Sequence, residues 1–308
     1  MKIVIGTRAS QLALWQAEHI KAELESRWDD VQVELKKIIT KGDKILDSPL
    51  AKVGGKGLFV KEIENELIDG TIDIAVHSMK DVPTEFPEGL ELFAITERED
   101  PRDAFISRNG KSMAELGQQK DVTIGTSSLR RQAQLLTLYP HWNIVSIRGN
   151  VQTRLKRMEE RQMDGIILAA AGMKRLELEH LVKEYIAPEV MIPAIGQGAL
   201  GLEVRSADTA LKERLEFLRH PVTTQCVLAE RALLRTMEGG CQVPIGAYAV
   251  PKENGSVFLN ALVASVDGKE VVKGQLEGNN PEELGVTLAN QMLNSGARAI
   301  LSVVYHNN

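Results

Sequence analysis

"KIVIGTRASQLALWQAEHIKAELESRW", Lys2 to Trp28, contains a complete strand, turn and helix. Lys2 to Gly6 is rich in β-branched residues, and in the segment that follows Leu12, Trp15, His19, Ile20 and Leu24 recur at helical spacing. Ser10 is placed to cap the helix, which leaves the backbone N–H groups of its first turn facing whatever lies above the strand end.

The same unit returns in the second half of the chain. "IGTRAS" (Ile5 to Ser10) is matched by "IGTSSL" (Ile124 to Leu129), which again runs into a helix, "RRQAQLLTLY". A second echo follows in the same order. "DIAVHSMKD" (Asp73 to Asp81) and "DGIILAAAGMKR" (Asp164 to Arg175) each pass from an acidic residue through an apolar strand to a turn bearing Met-Lys. Two similar α/β lobes with parallel or mixed sheets are therefore expected. Ligands of such sheets bind beyond the carboxyl ends of the strands, and both echoes put polar residues there. Two such lobes face to face would form a cleft.

"TEREDPRD" (Thr96 to Asp103) and "MIPAIGQGALGLEV" (Met191 to Val204) have the proline, glycine and charge of crossover or hinge segments. After Pro221 a helical stretch leads to the loop "MEGGCQVP". Three alternating strands and a last helix follow, and Gly296 is a candidate break within that helix. This reads as a smaller third α/β domain.

The 308 residues are enough for two or three cores, and 43% hydrophobic with 26% charged residues is ordinary globular composition. A net charge of -5 argues against a whole-surface nucleic-acid or membrane binder. No apolar run approaches the ~20 residues that span a bilayer, and the N-terminus lacks an export signal, so a cytoplasmic protein with reduced thiols is expected. Cys226 and Cys241 form no CxxC or Cys/His cluster, so no metal site is expected.

Arginines gather at the strand-to-helix turns and adjoining segments: Arg8, Arg130, Arg131, Arg148, Arg154 and Arg175. A guanidinium fork matches carboxylates two bonds at a time, so several on one cleft imply a ligand with several carboxylates or phosphates. Arg130 and Arg131 open a helix, where positive charge opposes the macrodipole and needs a reason. Lys80-Asp81 follows an apolar strand. Its carboxylate could steady a developing cation or exchange a proton, or the pair could simply cap the strand end. His77 has no partner motif and reads as a packed histidine. "AKVGGKGLFVKEIE" (Ala51 to Glu64) lacks phosphate-loop spacing and reads as a mobile basic flap. Cys226 lies in an apolar helical run and reads as core. Cys241, between Gly239-Gly240 and Pro244, could be an inert thiol, a redox sensor, a nucleophile or an attachment point. No basic residue adjoins it to activate a thiolate, and glycine flanks suit a cysteine that carries something bulky.

Together "TRASQLALWQ", "KVGGKGLFVKE", "DIAVHSMKDVP", "EREDPRDAF", "GTSSLRRQAQL", "RGNVQTRL", "IILAAAGMKRL", "PAIGQGALGLE" and "EGGCQVPIGAY" resemble, over nearly the whole length, the porphobilinogen deaminases or hydroxymethylbilane synthases. The resemblance implies two lobes like those of type II periplasmic binding proteins: residues 1–97 with a returning segment 198–216, and residues 98–197. A third domain, 217–308, would carry the cysteine. It implies a transferase that joins four porphobilinogen molecules head to tail with loss of ammonia to give hydroxymethylbilane, primed by a dipyrromethane cofactor in thioether linkage to Cys241. By the same resemblance Asp81 holds the pyrrole nitrogens and stabilises the electron-poor azafulvene formed as the amine leaves. Arg8, Ser10, Lys80, Thr126, Ser127, Ser128, Arg130, Arg131, Arg148, Arg154, Arg175 and Gln197 would bind cofactor and substrate side chains. Phe59 on the flap would cover the rings, with Lys52 and Lys56 beside it. A monomer without metal, nucleic acid or membrane partner is implied. Where many members of that family have proline after the serine of the first motif, this chain has Gln11. The competing class is a two-lobed carboxylate-binding module in which the cysteine is idle.

Overall fold

In the computed structural model, which describes residues 1–44, 60–239 and 243–306, the first unit folds as its pattern requires. β1 (Lys2–Arg8) lies parallel between β2 (Gln32–Ile38) and β3 (Ile74–Ser78). The helix Gln11–Arg27 packs Ala17, Ile20 and Leu24 onto this sheet in a core with Ile3, Ile5, Val33 and Ile74. Ser10 is its N-cap, accepting from the N–H of Ala13. The pattern Leu12, Trp15, His19 only partly marks the buried face, because Gln16 is buried while Trp15 is exposed and stacks on His19.

Two further strands complete the lobe. β4 (Leu90–Ile95) forms one edge, and between it and β3 lies β10 (Leu200–Arg205), antiparallel to both. The sheet order is β2-β1-β3-β10-β4. The second lobe repeats it. β6 (Thr123–Gly125) is parallel to β7 (Asn143–Val145) and β8 (Gly165–Ala169), while β5 (Asp103–Ser107) lies antiparallel between β8 and β9 (Glu184–Ile186). The order is β7-β6-β8-β5-β9. The echo extends to single bonds: Asp73 accepts from the N–H of Val4 at 2.8 Å, and Asp164 accepts from that of Thr123 at 2.9 Å. The two acidic residues read as the start of each second echo thus tie the two central parallel strands in each lobe.

Each lobe lends the other a strand. The chain leaves β4 of the first lobe to become β5 of the second, and leaves β9 of the second to become β10 of the first. The crossovers are residues 96–102 and 187–199. The second hinge expected from sequence, Met191 to Val204, therefore stops short, because Leu200–Val204 is a buried inner strand. At Gly198 the crossovers touch: its φ is +97°, and a Cβ there would meet the Glu99 carbonyl at 2.3 Å, so only glycine fits.

The third domain is an antiparallel sheet of β11 (Ile245–Pro251), β12 (Val257–Ala264) and β13 (Val271–Gly278). It is covered by the helices Pro221–Thr236 and Pro281–Met292. The expected break falls at Gly296, whose φ of +110° separates the last helix, Arg298–His306. Glu230, fully buried, joins this domain to both crossovers. Its carboxylate accepts from Arg98 at 2.8 and 3.0 Å, from the Gly196 N–H at 2.7 Å and from the Ala249 N–H at 2.8 Å.

Candidate active site

Parallel strands end together, so β1 and β3 deliver Arg8 and the turn Met79–Asp81 to one rim of the first lobe. Arg8 donates from Nε to both oxygens of Asp43, at 3.1 and 3.2 Å. Burial pushes the Asp43 carboxyl up, but this guanidinium and Thr40 hold it below the usual range. Lys80 and Asp81 are half-buried. The Lys80 ammonium is pulled down to about 8, first by loss of water and then by the Arg131 guanidinium, against Asp81 and Asp103. Arg154 falls to about 10 through burial and then Arg131, with Asp81 opposing and Arg148 adding to the fall. Lys80 and Asp81 of the first lobe thus share one electrostatic neighbourhood with Arg131, Arg148 and Arg154 of the second.

Arg130 and Arg131 lie in the first turn of the helix Leu129–Leu138, capped by Ser128. The compensating charge is Asp103, the first residue of β5 and completely buried. Arg130 donates to it from Nη1 at 2.7 Å and Nη2 at 3.2 Å, and Arg131 from Nε at 3.0 Å and Nη2 at 2.8 Å. Gln197 Nε2 adds a bond at 2.9 Å. Burial alone would raise the Asp103 carboxyl; the two arginines, helped by Gln197, hold it far below the usual carboxylate range instead. Two guanidiniums on one carboxylate leave one net positive charge at this edge of the seam. Arg130, Arg131 and Gln197 have little surface left, at 4%, 5% and 1% exposure, and Arg131 Nη1 also donates to the Ile167 carbonyl at 2.9 Å.

The remaining polar residues divide between the seam and internal bracing. Arg175 donates to the Gly198 carbonyl at 2.7 Å, lies over the Trp15 ring of the first lobe, and is pushed down to about 10 by burial against Glu99. Arg154 Nε holds the Gly149 carbonyl at 2.8 Å and Arg157 that of Arg148 at 2.9 Å, which fixes the loop bearing Arg148. Ser127 donates to the Ile147 carbonyl at 2.6 Å, while buried Thr126 accepts from the Ser128 N–H. Gln11 accepts from Gln152 of the other lobe. His77 is packed, paired with buried Glu203 at 2.8 Å, and Cys226 is core. Cys241, Phe59, Lys52 and Lys56 lie outside the described residues. Sequence reading missed Asp103, Arg98 and Glu230; an aspartate opening the apolar run "DAFIS" was the available signal for the first.

Among the described residues no helix is long and apolar enough to cross a membrane, and no group of three or more His, Cys, Asp or Glu is placed to hold a metal. Residues 3–213 match the family model described as porphobilinogen deaminase, dipyromethane cofactor binding domain, and residues 224–294 match the C-terminal domain of the same family. A porphobilinogen deaminase of Geotalea uraniireducens is 58% identical over 98% of this chain and 94% of its own length. One from Geobacter sulfurreducens is 57% identical over 99% and 95%. Among solved structures, a TRAP periplasmic solute binding protein from Desulfovibrio salexigens is similar at 13% identity, with a TM-score of 0.44 over 71% of this chain and 72% of that one. The periplasmic aliphatic sulphonate binding protein SsuA from Escherichia coli is 11% identical, with a TM-score of 0.42 over 77% and 70%.

Proposed function

The chain belongs to the porphobilinogen deaminase family, enzymes of tetrapyrrole synthesis, and on that premise we propose that the seam between its lobes is where porphobilinogen units are joined, with Asp81 as the catalytic carboxylate. The observation that carries this reading is that the Asp81 carboxylate of the first lobe acts both on Lys80 beside it and on Arg154 of the second lobe, where Arg131 and Arg148 also act, while the nearby Asp103 is taken up by Arg130 and Arg131.

The residues present fit a dipyrromethane carrying several carboxylates. Lys80 at about 8 and Arg154 and Arg175 at about 10 mark cations crowded where water is scarce, and bound carboxylates would relieve that cost. Arg8, Arg131, Arg148, Arg154 and Arg175 are the groups that would hold it, with Ser10, Ser127, Ser128 and Lys80 beside them and Cys241 as the thioether anchor. Thr126, Arg130 and Gln197 act one step back, by holding Ser128 and Asp103. When bound, the cofactor supplies the primer onto which the pyrroles are joined. Asp81 accepts from a pyrrole N–H, offsets the positive charge that develops on the substrate ring as ammonia departs, and takes up and returns a proton. The phenyl ring of Phe59 and the flap lysines Lys52 and Lys56 are assigned to covering the rings, so that water is excluded.

The division into 1–97 with 198–216, 98–197 and 217–308 is part of the same reading. So are a monomer, since one chain supplies cations from both lobes, and a cytoplasmic setting, since thioether formation needs the reduced thiol that compartment maintains. Intact-mass measurement together with Asp81→Ala tests the core of the proposal. The purified protein should weigh the bare chain plus two linked pyrroles, and the variant should keep that mass while losing at least ~100-fold in turnover. An unmodified mass in active protein, or substantial turnover without the carboxylate, would refute it.

A further inference from the structure

The segment that follows Asp81 is held from another domain. Val82 makes a local bond to the Met79 carbonyl, Pro83 has no N–H to offer, and no strand begins before Leu90. Arg231, in the helix Pro221–Thr236 and only 6% exposed, donates from Nη1 to the Val82 carbonyl at 3.1 Å and from Nη2 to the Pro83 carbonyl at 2.6 Å. Its guanidinium carbon lies 5.8 Å from the centroid of the Phe86 ring. A planar fork on two successive carbonyls, with an aromatic ring against it, fixes the orientation of the segment as well as its distance.

The same helix carries Glu230, which holds both crossovers, and it ends at Thr236, five residues before Cys241 in sequence. It is thus a strut from the hinge past the Asp81 turn, in the domain to which Cys241 belongs. We propose that Arg231 is a positioning residue: through the carbonyls of Val82 and Pro83 it sets where the Asp81 carboxylate stands relative to the domain that carries Cys241. This rests on the reading of Asp81 as the catalytic carboxylate. A misplacement of about 1 Å at a reacting centre costs on the order of 100-fold in rate; Met79 ties the near end of the turn Met79–Asp81 to the Ala199 carbonyl, and the Arg231 fork on Val82 and Pro83 holds its far end.

The test uses the full chain with its cofactor. Arg231→Met keeps the unbranched stem and removes all donors; Arg231→Lys keeps the charge but replaces the planar fork with a single ammonium. The Met variant should retain the loaded mass, lose about 30- to 100-fold in kcat with KM within about twofold, and exchange the amides of residues 79–86 at least ~10-fold faster while β1 and β2 are unchanged. The Lys variant should recover part of both effects. In an Asp81→Glu background, where the carboxylate is already displaced, Arg231→Met should cost less than about threefold. If the Met variant does not fold, rate and exchange in the Lys variant decide between the same outcomes. An unchanged kcat in loaded protein, a loss carried wholly by KM, unaltered exchange at 79–86, or full additivity with Asp81→Glu overturns the proposal. If Asp81→Glu turns over normally, the reading of Asp81 fails; if it is crippled while Arg231→Met is not, only the role of Arg231 fails.

Discussion

Replacing Asp103 by asparagine removes a charge while leaving nearly all the geometry in place. Oδ1 of Asp103 accepts from Arg130 Nη2, from Arg131 Nε and Nη2, and from Gln197 Nε2, whereas Oδ2 accepts from Arg130 Nη1 alone. An asparagine can put its oxygen at the first position and keep those bonds. Its NH2 then faces the Arg130 Nη1 donor, and two buried guanidiniums are left with no counter-charge. Breaking a buried ion pair from one side costs about 3–5 kcal/mol, which for the roughly 200 residues of the two strand-sharing lobes lowers Tm by about 6–20 °C. Scanning calorimetry of the two proteins between pH 5 and 8 measures it. The folded carboxyl is held far below its unfolded value, so its contribution is complete above the unfolded pKa of about 3.9 and is lost only as pH falls through the folded value. The gap between the proteins should therefore be constant across that range. A loss under about 1 kcal/mol, or a gap that titrates away between pH 5 and 8, would refute the claim that Asp103 is the ionised counter-charge of Arg130 and Arg131.

Glu230→Ala should cost about 3–5 kcal/mol, because it strands the Arg98 guanidinium and the N–H groups of Gly196 and Ala249. It should also release the third domain as a separate calorimetric transition; one unshifted transition would rule out its joining role. Burial, then Glu203, raises the Glu64 carboxyl to about 6, with His77 and Lys61 opposing. The unfolded chain releases that proton first, so stability should fall as pH rises from about 4.5 to 6 and stay level above. Glu64→Gln should then be more stable than the parent at pH 7 by up to roughly 2 kcal/mol, as measured by urea denaturation, and a less stable variant would contradict the assignment.

The paired echoes were enough to foresee two similar lobes, because a strand-turn-helix unit is local: spacing of apolar residues, a capping serine and a β-branched run specify it within about 25 residues. Ser10 as a cap and Gly296 as a break in the last helix were legible for the same reason, each being a local signal. The arginines could be named as a set, but not sorted. Arg148 and Arg154 belong to the neighbourhood of Asp81, Arg130 is bonded to Asp103 and the Ile192 carbonyl, and Arg131 stands in both groups, bonded to Asp103 and the Ile167 carbonyl while it acts on Lys80 and Arg154. Nor did the spacing in the first helix reveal that Trp15 turns outward toward Arg175 instead of inward with Ile20.

The return of residues 198–216 to the first lobe was implied by the family resemblance, but tertiary structure alone decided where β5 and β10 sit within the sheets, and with it the meeting of Asp103 with Arg130 and Arg131, of Glu230 with Arg98, and of Arg231 with the carbonyls beyond Asp81. A sequence pattern records which face of an element avoids water. It does not record which distant element will cover that face, and the partner of a buried charge is fixed only when the sheet order brings the two ends of the chain together.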